Sequence, residues 1–200
     1  MSSFVPVIGV LFAAAITPGP NNMIVMQAGA RDGISAAVAA LLGVVAGSLV
    51  LLALVWWGVG GVMQAYPILE LALSIGGAAY LAWIGIALVL RARGNQPEAA
   101  HDALPSTVLG VAAFQLLNPK AWVLVTTAAA AMPRMDGIVT LALLMTIVTT
   151  ACLMTWALLG AASARLLARS HARLWFDRVM GGLLAISALG IVVDALEALK

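Results

Sequence analysis

Gln115-Leu116-Leu117-Asn118-Pro119-Lys120-Ala121 is the stretch that decides how this chain folds. Apolar sequence flanks it on both sides, 107–117 before and 121–131 after. At about 1.5 Å per residue, Lys120 lies roughly 20 Å into that segment, where the hydrocarbon core of a bilayer is about 30 Å thick. A lysine at such depth costs about 2.5–3.5 kcal/mol on insertion scales, so it requires a partner, a cavity or a substrate. A second interruption, Thr17-Pro18-Gly19-Pro20-Asn21-Asn22, breaks the first apolar segment at nearly the same depth. Two broken helices in corresponding positions point to the binding site of a transporter.

Composition supports the membrane reading. The chain has 200 residues, 64% of them hydrophobic and 9% charged, with a mean hydropathy of +1.09. Soluble domains are about 45–50% apolar and about 25% charged, so no soluble fold hides this much apolar surface. A net charge of +2 is too small to imply a nucleic-acid partner. Cys152 is the single cysteine, which excludes an intramolecular disulfide and leaves it a small buried hydrophobe. Residues 1–4 carry no Lys or Arg, so the amino terminus reads as a first span rather than a secretory signal. No polar stretch is long enough to bury a core of its own, and 1–200 is expected to be one membrane domain.

Apolar windows predict six transmembrane helices at 4–28, 36–57, 67–90, 108–131, 138–162 and 179–196. Half one covers about 1–92, a polar loop about 91–107, and half two about 108–200. Arg31, Arg91, Arg93, Arg165, Arg169, Arg173 and Arg178 fall in loops that must share one side of the membrane. The other side holds Arg134 and Lys200, with Glu70, Asp136, Asp194 and Glu197 near it. The positive-inside rule then puts the arginine-rich loops in the cytoplasm and both termini in the periplasm. Three spans per half forces the second half to enter upside down relative to the first. The expected fold is thus an all-α membrane protein built as a 3+3 inverted repeat, with spans one and four broken near the midplane.

Pro18, Gly19 and Pro20 make a continuous helix through 17–22 improbable, because an interior proline costs about 3 kcal/mol. Backbone groups freed at that depth must be covered by protein or water. Asn21 or Asn22 is expected to cap the half-helix that follows, and Asn118 to repeat that arrangement before Pro119. Each half-helix then aims its partial positive end at the midplane, and Lys120 adds a full charge. A site of this kind suits a carboxylate. The candidate substrate-binding residues are Thr17, Pro18, Gly19, Pro20, Asn21, Asn22, Asn118, Pro119 and Lys120. The plain structural reading makes each proline a simple kink and pairs Lys120 with Glu70 or Asp194. Two breaks together with the lysine favour a substrate path.

Thr17-Pro18-Gly19-Pro20-Asn21, Tyr80-Leu81-Ala82-Trp83-Ile84-Gly85, 115–121 and Arg178-Val179-Met180-Gly181 together resemble the LysE/RhtB amino-acid exporters. The resemblance covers essentially the whole chain in length, spacing and six-span layout. It implies a bacterial inner-membrane exporter of amino acids or related metabolites, driven by the proton gradient. Around Asp32 and 35–38 the chain is less glycine-rich than that pattern.

Gly43 and Gly47, Gly76 and Gly77 with Ala78 and Ala79, and Gly181 and Gly182 allow close helix approach. Packing within one protomer is favoured over a homodimer seam. Tyr80 and Trp83, three apart on a helix, are expected to pack rather than line a cavity, and Trp56 and Trp57 to anchor a span end. Arg165, Arg169 and Arg173 recur every fourth residue, which reads as a short cytoplasmic surface helix touching anionic headgroups. His101 and His171 have no ligand set beside them, so no metal is expected. Thr146, Thr149, Thr150 and Thr155 are expected to bond across helices or onto their own backbone, with at most one or two lining a path.

The functional expectation is secondary-active efflux of a small zwitterion, with no catalytic residue and no cofactor. The partners are the substrate and the lipid bilayer. Neutral amino acids are favoured over dibasic ones, because no intramembrane carboxylate stands free to meet a second positive charge. The alternative from another class is a non-transporting receptor or assembly subunit, which has no need of paired midplane breaks. A membrane redox carrier needs two facing cysteines, and a metal-ion exporter needs clustered Cys, His, Asp or Glu in the spans.

Overall fold

In lipid an open chain satisfies its backbone only as a helix, and helices account for every regular element among the described residues. The computed structural model describes residues 5–91, 105, 107–132, 137–167 and 170–197. Its helices are α1 (Val5–Ile16), α2 (Pro20–Asp32), α3 (Ile34–Trp56), α4 (Val59–Ala65), α5 (Pro67–Arg91), α6 (Val108–Leu117), α7 (Pro119–Ala130), α8 (Gly137–Leu167) and α9 (Ser170–Glu197). Helices α3, α5, α8 and α9 are each long and apolar enough to cross a bilayer. The pair α1–α2 is bent by 52° and α6–α7 by 75°, and counting each pair as one span gives six. The chain is a multi-pass helical membrane protein with spans one and four broken, as its sequence predicts.

Three boundaries differ from expectation. A short helix, α4, lies between spans two and three, entered through Gly58 at φ 95°, a left-handed conformation that favours glycine. Gly33, at φ 85°, makes the turn between α2 and α3. Among the described residues no separate surface helix occupies 163–178: α8 continues to Leu167 and α9 begins at Ser170. Arginine, leucine and alanine are strong helix formers, and no Gly or Pro interrupts 163–178, so each span extends into it. Arg93, His101, Arg134, Asp136, Arg169 and Lys200 lie outside the described residues, as does most of the 91–107 loop. The side chains of Glu70, Arg91, Arg165, His171 and Arg173 lie outside them too.

Packing follows the exchange that an inverted repeat requires. Span one lies on span five, mainly α2 on α8; span four lies on span two, mainly α6 on α3. Spans three and six, the remaining equivalent pair, pack on each other through α5 and α9, the most extensive contact between any two single helices among the described residues. Small residues set these distances. A Cβ on Gly160 would stand 2.1 Å from Met26 O, and one on Gly77 would stand 2.3 Å from Leu117 O. Gly43 and Gly47 meet α6, and Gly181 meets Gly85, all within the one chain. A Cβ on Gly76 or Gly182 would meet nothing within 4 Å.

Two apolar cores form, and the breaks separate them. The first gathers Ile24, Val44, Leu81, Phe114, Leu153 and Leu184 from α2, α3, α5, α6, α8 and α9. The second gathers Leu11, Leu51, Val125, Leu141 and Met145 from α1, α3, α7 and α8. Among the described residues, α3 and α8 contribute fully buried side chains to both. Many large apolar side chains, such as Leu42, Trp83, Ile147 and Leu183, face outward. In water such a surface would drive aggregation, whereas a bilayer covers it. Tyr80 packs on Trp83 and Phe114, with ring centroids 5.8 and 5.6 Å away.

Candidate functional site

Each break exposes carbonyls at one half-helix end and N–H groups at the next, and the chain covers the carbonyls with its own side chains. In span one the Asn22 carboxamide reaches back, donating to Ala15 O at 3.0 Å and to Thr17 O at 2.8 Å. The Thr17 hydroxyl donates to Ala13 O. In span four the Trp122 indole N–H donates to Leu116 O at 2.8 Å, and Gly77 leaves room for Leu117 O. Proline disfavours helical geometry in the residue before it, and Asn118 accordingly sits at φ −86°, ψ 103°.

The N-terminal ends are treated differently in the two spans. Asn118 Oδ1 accepts from Lys120 N at 3.2 Å, capping α7 as expected. Helix α2 has Gly19 at its cap position with no side-chain hydrogen bond. Neither Asn21 nor Asn22 caps α2, contrary to the sequence expectation. Pro20 occupies the first turn, where a missing N–H costs nothing. Asn22 is drawn instead to the freed carbonyls of α1, a need that the sequence alone did not reveal.

The two breaks meet. Asn118 Nδ2 donates to Asn21 Oδ1 at 3.3 Å, joining residues 97 apart in sequence. Asn118 also approaches Gln115 Oε1 at 3.5 Å, and Gln115 Nε2 donates to Ser48 Oγ at 2.8 Å. This polar chain runs from α2 through the break to α6 and α3, and Asn118, Gln115 and Ser48 are all buried. Lys120 Nζ lies across the start of α2, 3.2 Å from where a Cβ on Gly19 would stand.

A cavity opens where these groups converge. Gly19, Pro20, Asn21, Asn22, Asn118 and Lys120 line it, together with Ser48 and Gln115. Of the sequence-predicted set, Thr17, Pro18 and Pro119 lie outside its lining; Thr17 and Pro18 are exposed, and Pro119 packs toward Gly77. Its volume is about 40 Å³, room for about three waters. Ligand pockets for drug-sized molecules run to about 300–1,000 Å³, and this cavity is much smaller than those. Val44 and Leu153 in its wall belong to the first core, Ala121 and Met145 to the second. The cavity therefore sits on the seam between the two cores.

The electrostatics of this seam are one-sided. The half-buried Lys120 ammonium stands beside the starts of α2 and α7, both partial positive helix ends. Among the described residues, no carboxylate lies within 4.0 Å of Lys120 Nζ, and Asp194 is exposed elsewhere on α9. Three positive contributions with no anion between them form an anion-seeking site.

Sequence reasoning missed Val44, Ser48, Leu124, Met145 and Leu153 as wall residues. The four-residue spacing of Val44 with Ser48 and of Met145 with Thr149 and Leu153 puts each set on one helix face, but spacing alone does not say which face meets a cavity. Thr146 and Thr155 donate back to Ala142 O and Ala151 O, as expected of span threonines, and Thr149 lines the cavity.

Comparison with known proteins agrees with this architecture. The family described as LysE type translocator matches residues 12–196. A leucine efflux protein of Enterobacter sp. (strain 638) is 34% identical over 118 residues, covering 58% of this chain and 56% of that protein. A leucine efflux protein of Klebsiella pneumoniae is 31% identical over 117 residues, 57% of this chain and 55% of that one. An uncharacterized membrane protein of Pseudomonas aeruginosa is 36% identical over 126 residues, with 58% and 56% covered. The match thus spans little more than half the length of these relatives. No solved structure matches the chain.

Proposed function

This chain belongs to the LysE type translocator family, and from that premise we propose that it exports amino acids or related small zwitterions by secondary active transport. The carrying observation is the Lys120 ammonium, without an ion-pair partner among the described residues, at the meeting point of two positive helix ends. A substrate carboxylate placed there neutralises Lys120 and accepts from the free N–H groups at the start of α2. The occupied site then holds no orphan cation and can be closed off from both sides of the membrane. The leucine efflux activity named for two relatives supports an amino-acid cargo.

The location proposed is the bacterial inner membrane, with the arginine-rich ends of spans one, three, five and six in the cytoplasm and both termini in the periplasm. Export against a gradient needs an energy source, and we assign the proton gradient to it. Each repeat contributes one broken helix, so alternating access is rocking of the two broken spans about a fixed central site. The cavity's free space is about 40 Å³, so one side must loosen before substrate enters.

Purified protein in liposomes loaded with a mixture of radiolabelled amino acids tests this reading. Efflux of at least one amino acid, accelerated by an imposed pH gradient and abolished by a protonophore, is the expected result. Loaded liposomes that release no amino acid faster than protein-free ones would refute the export reading. Efflux indifferent to the protonophore would refute the proton drive alone.

A further inference from the structure

The wall of the cavity is divided by chemistry. Its polar part comes from the two breaks and from Gln115 and Ser48. Its remaining part includes a single stripe of α8, where Met145, Thr149 and Leu153 recur every fourth residue. Residues four apart share one helix face, so the three turn into the cavity together, joined by Leu124 of α7. Met145 and Leu153 are buried and Thr149 is half-buried. Thr146 and Thr155, off this stripe, spend their hydroxyls on Ala142 O at 2.7 Å and Ala151 O at 3.2 Å. Thr149 lines the cavity and has no hydrogen-bond partner among the described residues.

We propose, resting on the export reading above, that this stripe is the specificity-determining wall and that it selects neutral amino acids with aliphatic side chains. With the carboxylate at Lys120, the substrate side chain lies against Met145, Leu153 and Leu124, and the Thr149 hydroxyl accepts from the substrate ammonium. Methionine is unbranched and adapts its shape readily, so Met145 is the element that moves aside when the small cavity fills. Among the described residues no carboxylate lines the cavity, so a basic side chain finds no partner there. An acidic one would press a second charge against methionine and leucine, which burial penalises. Within an apolar pocket, one methylene is worth roughly ten- to two-hundredfold in discrimination.

Competition against labelled leucine counterflow in proteoliposomes tests the wall, using alanine, leucine, phenylalanine, lysine, glutamate and the des-amino analogue 4-methylpentanoate. Wild type is expected to be inhibited by leucine at concentrations at least tenfold below those needed for alanine, lysine or glutamate. Met145→Ala should raise phenylalanine relative to leucine by fivefold or more. Thr149→Val should erase most of the preference for leucine over 4-methylpentanoate. Leu158→Ala, on the outward face of α8, should change neither ratio. Leu124→Ala on α7 serves in place of Met145→Ala should the latter not insert. A wild type that exports amino acids with both ratios unmoved by Met145→Ala and Thr149→Val overturns the proposal, as does a preference for lysine or glutamate. A wild type that moves no amino acid overturns the export reading itself, a separate outcome.

Discussion

Arg31 Nη2 and Asp177 Oδ1 are 2.6 Å apart, and the two side chains are only 9% and 3% exposed. Arg31, which by sequence marks the cytoplasmic loop after span one, sits in the last turn of α2 and crosses to α9. The pair joins the first half of the chain to the second. Breaking a buried pair from one side leaves an uncompensated charge and costs about 3–5 kcal/mol. Arg31 Nε already lacks a partner, so no spare acceptor stands ready. Asp177→Ala is therefore expected to lower the melting temperature in detergent sharply, and the double exchange Arg31→Asp with Asp177→Arg to recover much of the loss. Equal melting of Asp177→Ala and wild type would show that the pair carries no stability.

The neighbouring glycines of α5 separate packing from propensity. A Cβ on Gly77 would press on Leu117 O, whereas one on Gly76 meets nothing. Gly77→Ala should destabilise the protein by about 1–3 kcal/mol, the usual cost of overpacking. Gly76→Ala should be neutral or slightly stabilising, since alanine favours the helix. Thermal unfolding of both variants side by side checks this, and a reversed order would contradict the contact of α5 with the break.

How much of this was legible beforehand can be judged residue by residue. Pro18, Pro20 and Pro119 announced both breaks, because proline's effect on a helix is local and needs no knowledge of neighbours. The six spans followed from apolar length alone. Asn22 was located but misassigned: whether it serves N–H groups ahead or carbonyls behind depends on the bend between α1 and α2, a tertiary quantity. Asp177 was invisible as a partner because it lies 146 residues from Arg31. The wall residues Met145 and Leu153 were hidden for another reason. In a span that is apolar all round, nothing distinguishes a cavity-facing leucine from a lipid-facing one until the helices are packed.

Asn118 does three things at once, and its variants divide them. Asn118→Ala removes the α7 cap, worth about 1 kcal/mol, together with the link to Asn21. Asn118→Asp keeps a capping oxygen but sets a fixed carboxylate beside Lys120. The aspartate variant, which loses the Nδ2 donor to Asn21 and Gln115, should melt no lower than Asn118→Ala yet lose most transport, because the substrate's charge partner is already taken. Full transport by Asn118→Asp would contradict the carboxylate role of this site.

Gly19→Ala probes the same site by steric means. Gly19 is in extended geometry, φ −168° and ψ 178°, which alanine adopts without strain. The added methyl would stand 3.2 Å from Lys120 Nζ. Displacing the ammonium from the start of α2 should raise the apparent KM for export several-fold with little change in melting temperature. An unchanged KM would show that the position of Lys120 at α2 does not matter.

Export by this route requires Lys120 to meet a substrate carboxylate, and binding of an amino acid and of its carboxamide to the purified protein measures this most directly. A hydrogen bond to a charged group contributes about 1.5–3 kcal/mol, roughly ten- to hundredfold in affinity. Leucine should therefore bind wild type at least tenfold more tightly than leucinamide, and Lys120→Met should bind both equally weakly while folding and inserting normally. A well-folded Lys120→Met that still prefers leucine to leucinamide to the wild-type degree would contradict it.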